Sequence, residues 1–142
     1  MKIQSAFLVK RVSQFLQYSL IPIGILYTFA DAVELIYQSK GRVIITGIGK
    51  SAIIANKIVA TLNSTGTPAI FMHAADAIHG DLGLILEDDV VICISKSGNT
   101  PEIKVLVPLI KNAKNKMIAI TGNKESFLGL QADFILNAYV EQ

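Results

Sequence analysis

Tryptophan is absent from the 142 residues, and cysteine occurs once, at Cys93. A single thiol excludes a disulfide framework within the chain and any cysteine-built metal centre. Cys93 lies inside an apolar run, which makes it a small core residue rather than a nucleophile. Charge is also scarce, at 17% of residues, and 13 basic against 11 acidic side chains leave a net charge of +2. That balance gives no basis for a nucleic-acid surface or an acidic macromolecular partner, although a small anion needs only local positive charge. There are two histidines, His73 and His79, without the helical spacing of a ligand pair, so no metal site is complete in the sequence. Internal repeats, low-complexity tracts, long charge runs and obvious linkers are all missing. Hydrophobic residues make up 51% of the chain, enough for the core of one domain in a reducing, cytoplasmic setting.

Long uninterrupted hydrophobic segments are lacking too. Lys2, Lys10 and Arg11 precede an uncharged stretch over residues 12–30, and Ala30-Asp31-Ala32 superficially resembles a signal-peptidase site. Ser13, Gln14, Gln17, Ser19 and Thr28 dilute the apolarity, and Pro22 and Gly24 interrupt it. A membrane span would require roughly 20 predominantly apolar residues, so a membrane role is not expected. The pattern predicts a helix broken near Pro22 and a second helix over about 29–38 that packs on the domain or on a partner subunit.

Beyond Gly41, short β-branched runs alternate with segments long enough for helices, which is α/β order. Strands are expected over 42–46, 68–72, 89–94, 116–121 and 134–137. Helices are expected over 50–63, with Ile53, Ile54, Ile58 and Leu62 at core-like spacing, over 101–113, and over about 125–130. The crossovers imply parallel pairing, and near-continuous apolar strands imply a sheet covered on both faces, with a ligand crevice at the carboxyl ends. Asp88 and Asp89 read as a turn before the third strand.

Two loops fall at such ends. Ser95-Lys96-Ser97-Gly98-Asn99-Thr100-Pro101-Glu102 joins a strand to a helix through hydroxyls and glycine. Pro101 suits a first helical turn, and Asn99 or Thr100 the N-cap. The unpaired N–H groups and dipole of a helix start favour an anion, and the hydroxyls of Ser95, Ser97 and Thr100 would add donors. A well-capped loop with no ligand is the competing reading. The second loop is Gly47-Ile48-Gly49-Lys50-Ser51. A Walker A loop is excluded because position 44 is isoleucine where that motif needs glycine. A dinucleotide fingerprint fits loosely, but the second strand ends near Met72-His73 without the acidic residue that would hold a ribose. What remains is a backbone that approaches a sugar phosphate, with Lys50 reaching into the site. His79-Gly80-Asp81-Leu82-Gly83 is expected to form an ordered, irregular connection, in which His79 is either a site residue or a surface hydrogen-bonder.

Taken with Ser64-Thr65-Gly66-Thr67-Pro68 and Ile120-Thr121-Gly122-Asn123, these motifs resemble, in order and spacing, the sugar isomerase (SIS) domain. Within it they resemble the arabinose-5-phosphate isomerases that supply the lipopolysaccharide sugar Kdo. The resemblance covers roughly residue 29 to the end. It implies a five-stranded parallel sheet flanked by helices, a flavodoxin-like three-layer sandwich, in a homodimer or homotetramer with sites that use more than one subunit. It implies aldose–ketose interconversion of D-ribulose 5-phosphate and D-arabinose 5-phosphate, a pentose phosphate as substrate, and no cofactor. It places Lys50, Glu102 and His79 in catalysis, with His79 also a site for an inhibitory metal. Gly47, Gly49, Ser51, Ser95, Ser97, Gly98, Asn99 and Thr100 match substrate-binding positions.

The departures are specific. Ala52 and Ala55 stand where relatives often carry glycine, and His73-Ala74-Ala75 replaces the more usual His-Pro-Gly. The expected domain occupies 29–142, after an N-terminal helical segment over 1–28. It is incomplete at its C-terminal end, because the chain stops at Val140-Glu141-Gln142 before a further glutamate and histidine of the family, and the paired CBS domains are absent. A noncatalytic sugar-phosphate sensor or interaction module is therefore the alternative function. A fragment that depends on further chain for folding is a third reading.

Overall fold

The computed structural model describes residues 23–140. The expected break at Pro22 and most of the uncharged N-terminal stretch lie outside them. Eleven elements follow in chain order. They are α1 (Ile23–Gln38), β1 (Val43–Gly47), α2 (Lys50–Ser64), β2 (Ala69–His73), α3 (Ala74–Ala77), a 3-10 turn (Asp81–Leu84), β3 (Val90–Ile94), α4 (Pro101–Asn112), β4 (Lys116–Thr121), α5 (Phe127–Gln131) and β5 (Phe134–Asn137). All strands pair in parallel in the order β2-β1-β3-β4-β5. The strand order reverses between β1 and β3, which makes their carboxyl ends the switch point of the sheet.

β1 and β3 are buried at every residue, which is why they read as unbroken apolar runs rather than alternating ones. On one face Ile44, Met72, Val91 and Cys93 meet Ile103, Leu106, Val107 and Ile110, the inward stripe of α4. On the other, Val43, Ile45, Val90, Ile92 and Ile118 meet Ala32 of α1 and Ala55 of α2. Phe134 and Leu136 of β5 pack into this second core with Leu35 and Ile36 of α1. The first described helix therefore docks on its own domain and covers one face of the last strand.

The inward stripe of α2 differs from expectation. Ile53 and Ile54 are 65% and 51% exposed, and the helix buries Ala52 and Ala55, with Ile58, Val59 and Leu62 partly covered. The two alanines let the helix backbone approach the sheet closely, and that rotates both isoleucines outward. Residues 74–84 are also more ordered than a plain loop. His73 Nδ1 accepts from the Ala75 N–H at 3.3 Å and so caps α3, and the 3-10 turn follows at Asp81.

Asp89 closes the expected turn before β3, its N–H donating to the Leu86 carbonyl at 3.1 Å, and it is a structural anchor as well. Only 2% exposed, it accepts from the backbone N–H groups of Arg42 (2.7 Å) and Leu86 (2.8 Å), and its Oδ2 lies 2.6 Å from Arg42 Nη2. Burial pushes its carboxyl upward, but the hydrogen bonds from the Arg42 guanidinium and the two N–H groups outweigh that, and the net shift is downward. Arg42 is correspondingly raised, chiefly by its hydrogen bond to Asp89. This clamp ties the starts of β1 and β3 together, opposite the switch point. At the β2 edge, the Asn63 side chain bonds both the N–H and the C=O of Ala69 (2.8 and 2.9 Å), standing in for a neighbouring strand.

Candidate functional site

Two helices begin at the switch point, and neither has a side-chain cap. At α2 the N-cap position is Gly49, at φ 58°, and no side chain bonds the first turn. At α4 the N-cap position is Thr100, whose hydroxyl makes no cap bond. In α2 the Ser51 and Ala52 N–H groups turn back onto the Ile48 and Gly49 carbonyls at 3.2 and 3.1 Å, and in α4 Pro101 brings no N–H, so the open donors are the Lys50 N–H in one helix and those of Glu102 and Ile103 in the other; both dipoles start here. The short helices α3 and α5, in contrast, are capped by His73 and Ser126. Lys50 is the first residue of α2 and is exposed, while Glu102 stands in the first turn of α4 and is half-buried.

The two loops converge closely. A Cβ on buried Gly47 would lie 3.0 Å from the Ser51 backbone and 3.2 Å from the Ile94 carbonyl, so the turn from β1 into α2 fits tightly against the end of β3 and a side chain there would press its neighbours apart by a few tenths of an ångström.

Within the β3–α4 loop the side chains divide their work. Ser95, 3% exposed, accepts the Gly98 N–H at 3.1 Å, and exposed Ser97 accepts the Asn99 N–H at 3.2 Å. Each hydroxyl therefore receives one bond from the loop and keeps its own proton for an outside acceptor. Asn99 braces the loop: its Nδ2 donates to the Ser97 carbonyl at 3.3 Å and its Oδ1 accepts the Phe127 N–H at 3.0 Å. Gly98, at φ +67°, passes so close to Ser126 that any Cβ would collide with that side chain, and its carbonyl accepts the Leu128 N–H at 3.0 Å. The Gly122 N–H bonds the Lys96 carbonyl at 3.0 Å. The loop is thus held from behind by β4 and α5. Ser126 was not apparent as part of this support, although a serine directly before an apolar helical turn is a cap signal.

His79 is exposed in the connection after α3, its N–H donating to the Asp76 carbonyl at 2.9 Å. It belongs to the β2-to-β3 connection, a third segment that leaves the sheet at the carboxyl end of a strand. Among the described residues, no group of three or more His, Cys, Asp or Glu side chains is placed to hold a metal ion, and no helix is long and apolar enough to cross a membrane.

The arabinose 5-phosphate isomerase KdsD of Pseudomonas aeruginosa is 51% identical over 114 residues, 80% of this chain and 35% of that protein. The arabinose 5-phosphate isomerase GutQ of Escherichia coli K12 is 45% identical over the same share of this chain and 36% of its own length. The chain therefore spans about a third of the length of these curated relatives. A solved E. coli CFT073 structure in complex with arabinose 5-phosphate superposes with a TM-score of 0.80 at 36% identity, over 97% of this chain and 71% of that one. Residues 35–142 match the SIS domain, and with the 2-1-3-4-5 parallel sheet and the serine loop at its switch point, the chain belongs to the SIS domain family.

Proposed function

We propose that the chain carries the sugar-phosphate site of an aldose–ketose isomerase that interconverts D-ribulose 5-phosphate and D-arabinose 5-phosphate. The observation that carries this reading is the meeting of two uncapped helix starts at the switch point, one bearing Lys50 and the other Ser97, Thr100 and Glu102. A phosphomonoester dianion matches that arrangement, since free N–H groups, two dipoles, serine protons and an ammonium all favour negative charge there. Ser97 and Thr100 would anchor the phosphate. Ser95, Gly98 and Asn99 would hold the loop in shape for it, and Gly47, Gly49 and Ser51 would let the backbone come close.

Isomerisation moves a proton between C1 and C2 through an enediolate. Glu102 would take and return it, and the Lys50 ammonium would stabilise the oxyanion that develops. His79 would contact sugar hydroxyls from the β2 side. No step calls for a cofactor. The identities to KdsD and GutQ, and the complex of the E. coli relative with arabinose 5-phosphate, support the choice of a pentose phosphate.

The test is proton NMR of ribulose 5-phosphate with the protein in D2O. Deuterium entry at C1 or C2 and the appearance of arabinose 5-phosphate are expected, with both lost in Lys50→Ala. Binding of the sugar phosphate without exchange would instead identify a sensor or interaction module.

A further inference from the structure

Cross-strand register aligns Met72, Thr46, Cys93 and Ala119 in one row across β2, β1, β3 and β4. Met72, Cys93 and Ala119 belong to the core on the α3, α4 and α5 side, and strand alternation after Ile44 points Thr46 into the same face. It is the polar member of that row. Thr46 is 0% exposed, and its Oγ1 has no hydrogen-bond partner among the described residues. The second buried hydroxyl in that condition is Thr100 Oγ1, at the start of α4.

The same face continues toward the carboxyl ends with Ile48, Ser95 and Thr121, each two positions beyond a member of the Thr46 row. Ser95 and Thr121 form the back of the β3–α4 loop, so Thr46 lies one layer below the serine loop. Valine would serve the strand equally well through the same branched shape. A buried, unpaired hydroxyl costs stability that an apolar isostere would not.

We infer that Thr46 is a further ligand-binding residue of the proposed sugar-phosphate site. Its hydroxyl lies one layer beneath the cradle and gains its partner through an ordered water when a sugar phosphate occupies the crevice above. This rests on the functional reading above. A threonine hydroxyl both donates and accepts, so it suits either a phosphate oxygen or a sugar hydroxyl.

The experiment measures binding of D-arabinose 5-phosphate and of inorganic phosphate by calorimetry, with thermal melts of the unliganded protein, for the wild type, Thr46→Val, Thr46→Ser and Ser97→Ala. Thr46→Val is expected to melt no lower than wild type yet bind arabinose 5-phosphate about tenfold more weakly, as for one lost hydrogen bond, and Thr46→Ser should recover most of the affinity. Parallel loss for inorganic phosphate would assign the contact to the phosphate, and loss for the sugar phosphate alone to a sugar hydroxyl. Unchanged affinity in Thr46→Val, while Ser97→Ala binds more weakly, would overturn the inference and leave the site intact. A lower melting temperature for unliganded Thr46→Val would overturn it too, by showing a partner already present without ligand. Failure of the wild type to bind either probe would overturn the functional reading and this inference together.

Discussion

Gly98 is the position where the site and the stability of the fold meet. Its φ of +67° lies in the left-handed region, and Ser126 and Thr121 fill the space that a side chain would need. Gly98→Ala therefore incurs both a backbone penalty and a collision, expected to lower stability by about 2 kcal/mol or more and to be read as a fall in the urea midpoint. A variant as stable as wild type would show that Ser126 yields easily and that the loop is not locked by α5. Asn99 is the residue whose role most changes with the structure in hand. Its amide suggests a ligand contact, and it also braces, with one Nδ2 proton on the Ser97 carbonyl and Oδ1 on the first N–H of α5, which leaves the second Nδ2 proton for a ligand. It shapes the serine loop from behind.

At the scale of elements, the clamp between β1 and β3 sits at the opposite end of the strands from the site. Asp89 has a folded-state pKa below its unfolded value of about 3.9. Above that value the carboxylate is ionised in both states and its stabilisation is fully present. As pH falls below it, the unfolded chain takes up a proton first, and the stabilisation drains away until the folded carboxyl is protonated as well. Stability measured by denaturant titration from neutral pH down to about pH 3 should therefore decline, and Arg42→Ala should flatten that decline. At neutral pH the same variant should lose about 3 kcal/mol, because it leaves a buried carboxylate without its cation. An unchanged pH profile would remove the pair from the account. The helices show a related economy: α3 and α5 spend side chains on capping, while α2 and α4 keep their starts open where an anion would gain from them.

For the whole molecule, Cys93 reports on integrity. It lies at 0% exposure in the central strand, its Sγ 3.7 Å from Met117 Sδ, and burial pushes the thiol pKa up to about 12. An aromatic disulfide reagent at mildly alkaline pH is expected to leave the native protein unlabelled and to react at the rate of global unfolding. Fast labelling of the folded protein would show that the sheet opens locally at β3. Labelling compared with and without arabinose 5-phosphate would also give a readout of ligand stabilisation.

Much of the architecture was legible in the chain because it rests on local chemistry. The strands at 116–121 and 134–137 read directly as β4 and β5, since β-branched runs between turn residues have few alternatives. Pro101 and the hydroxyl-glycine loop marked the start of α4 for the same reason. What local chemistry leaves open is which side of an element faces inward and which polar group finds a partner. Ile53 and Ile54 have the hydrophobicity of core residues, yet closeness of α2 to the sheet selected Ala52 and Ala55, a choice made by the space between two elements. Asp89 closes the turn that its type suggests, and it is a buried anchor as well because Arg42, 47 residues earlier, lies beside it across the sheet. Periodicity and turn chemistry along the chain were enough to give the α/β order, the parallel sheet and the residue types at the switch point. The tertiary structure alone decided that Asn99 braces, that α2 and α4 present open N-termini and that Thr46 lies unpaired beneath them, because each depends on distances between segments remote in the chain.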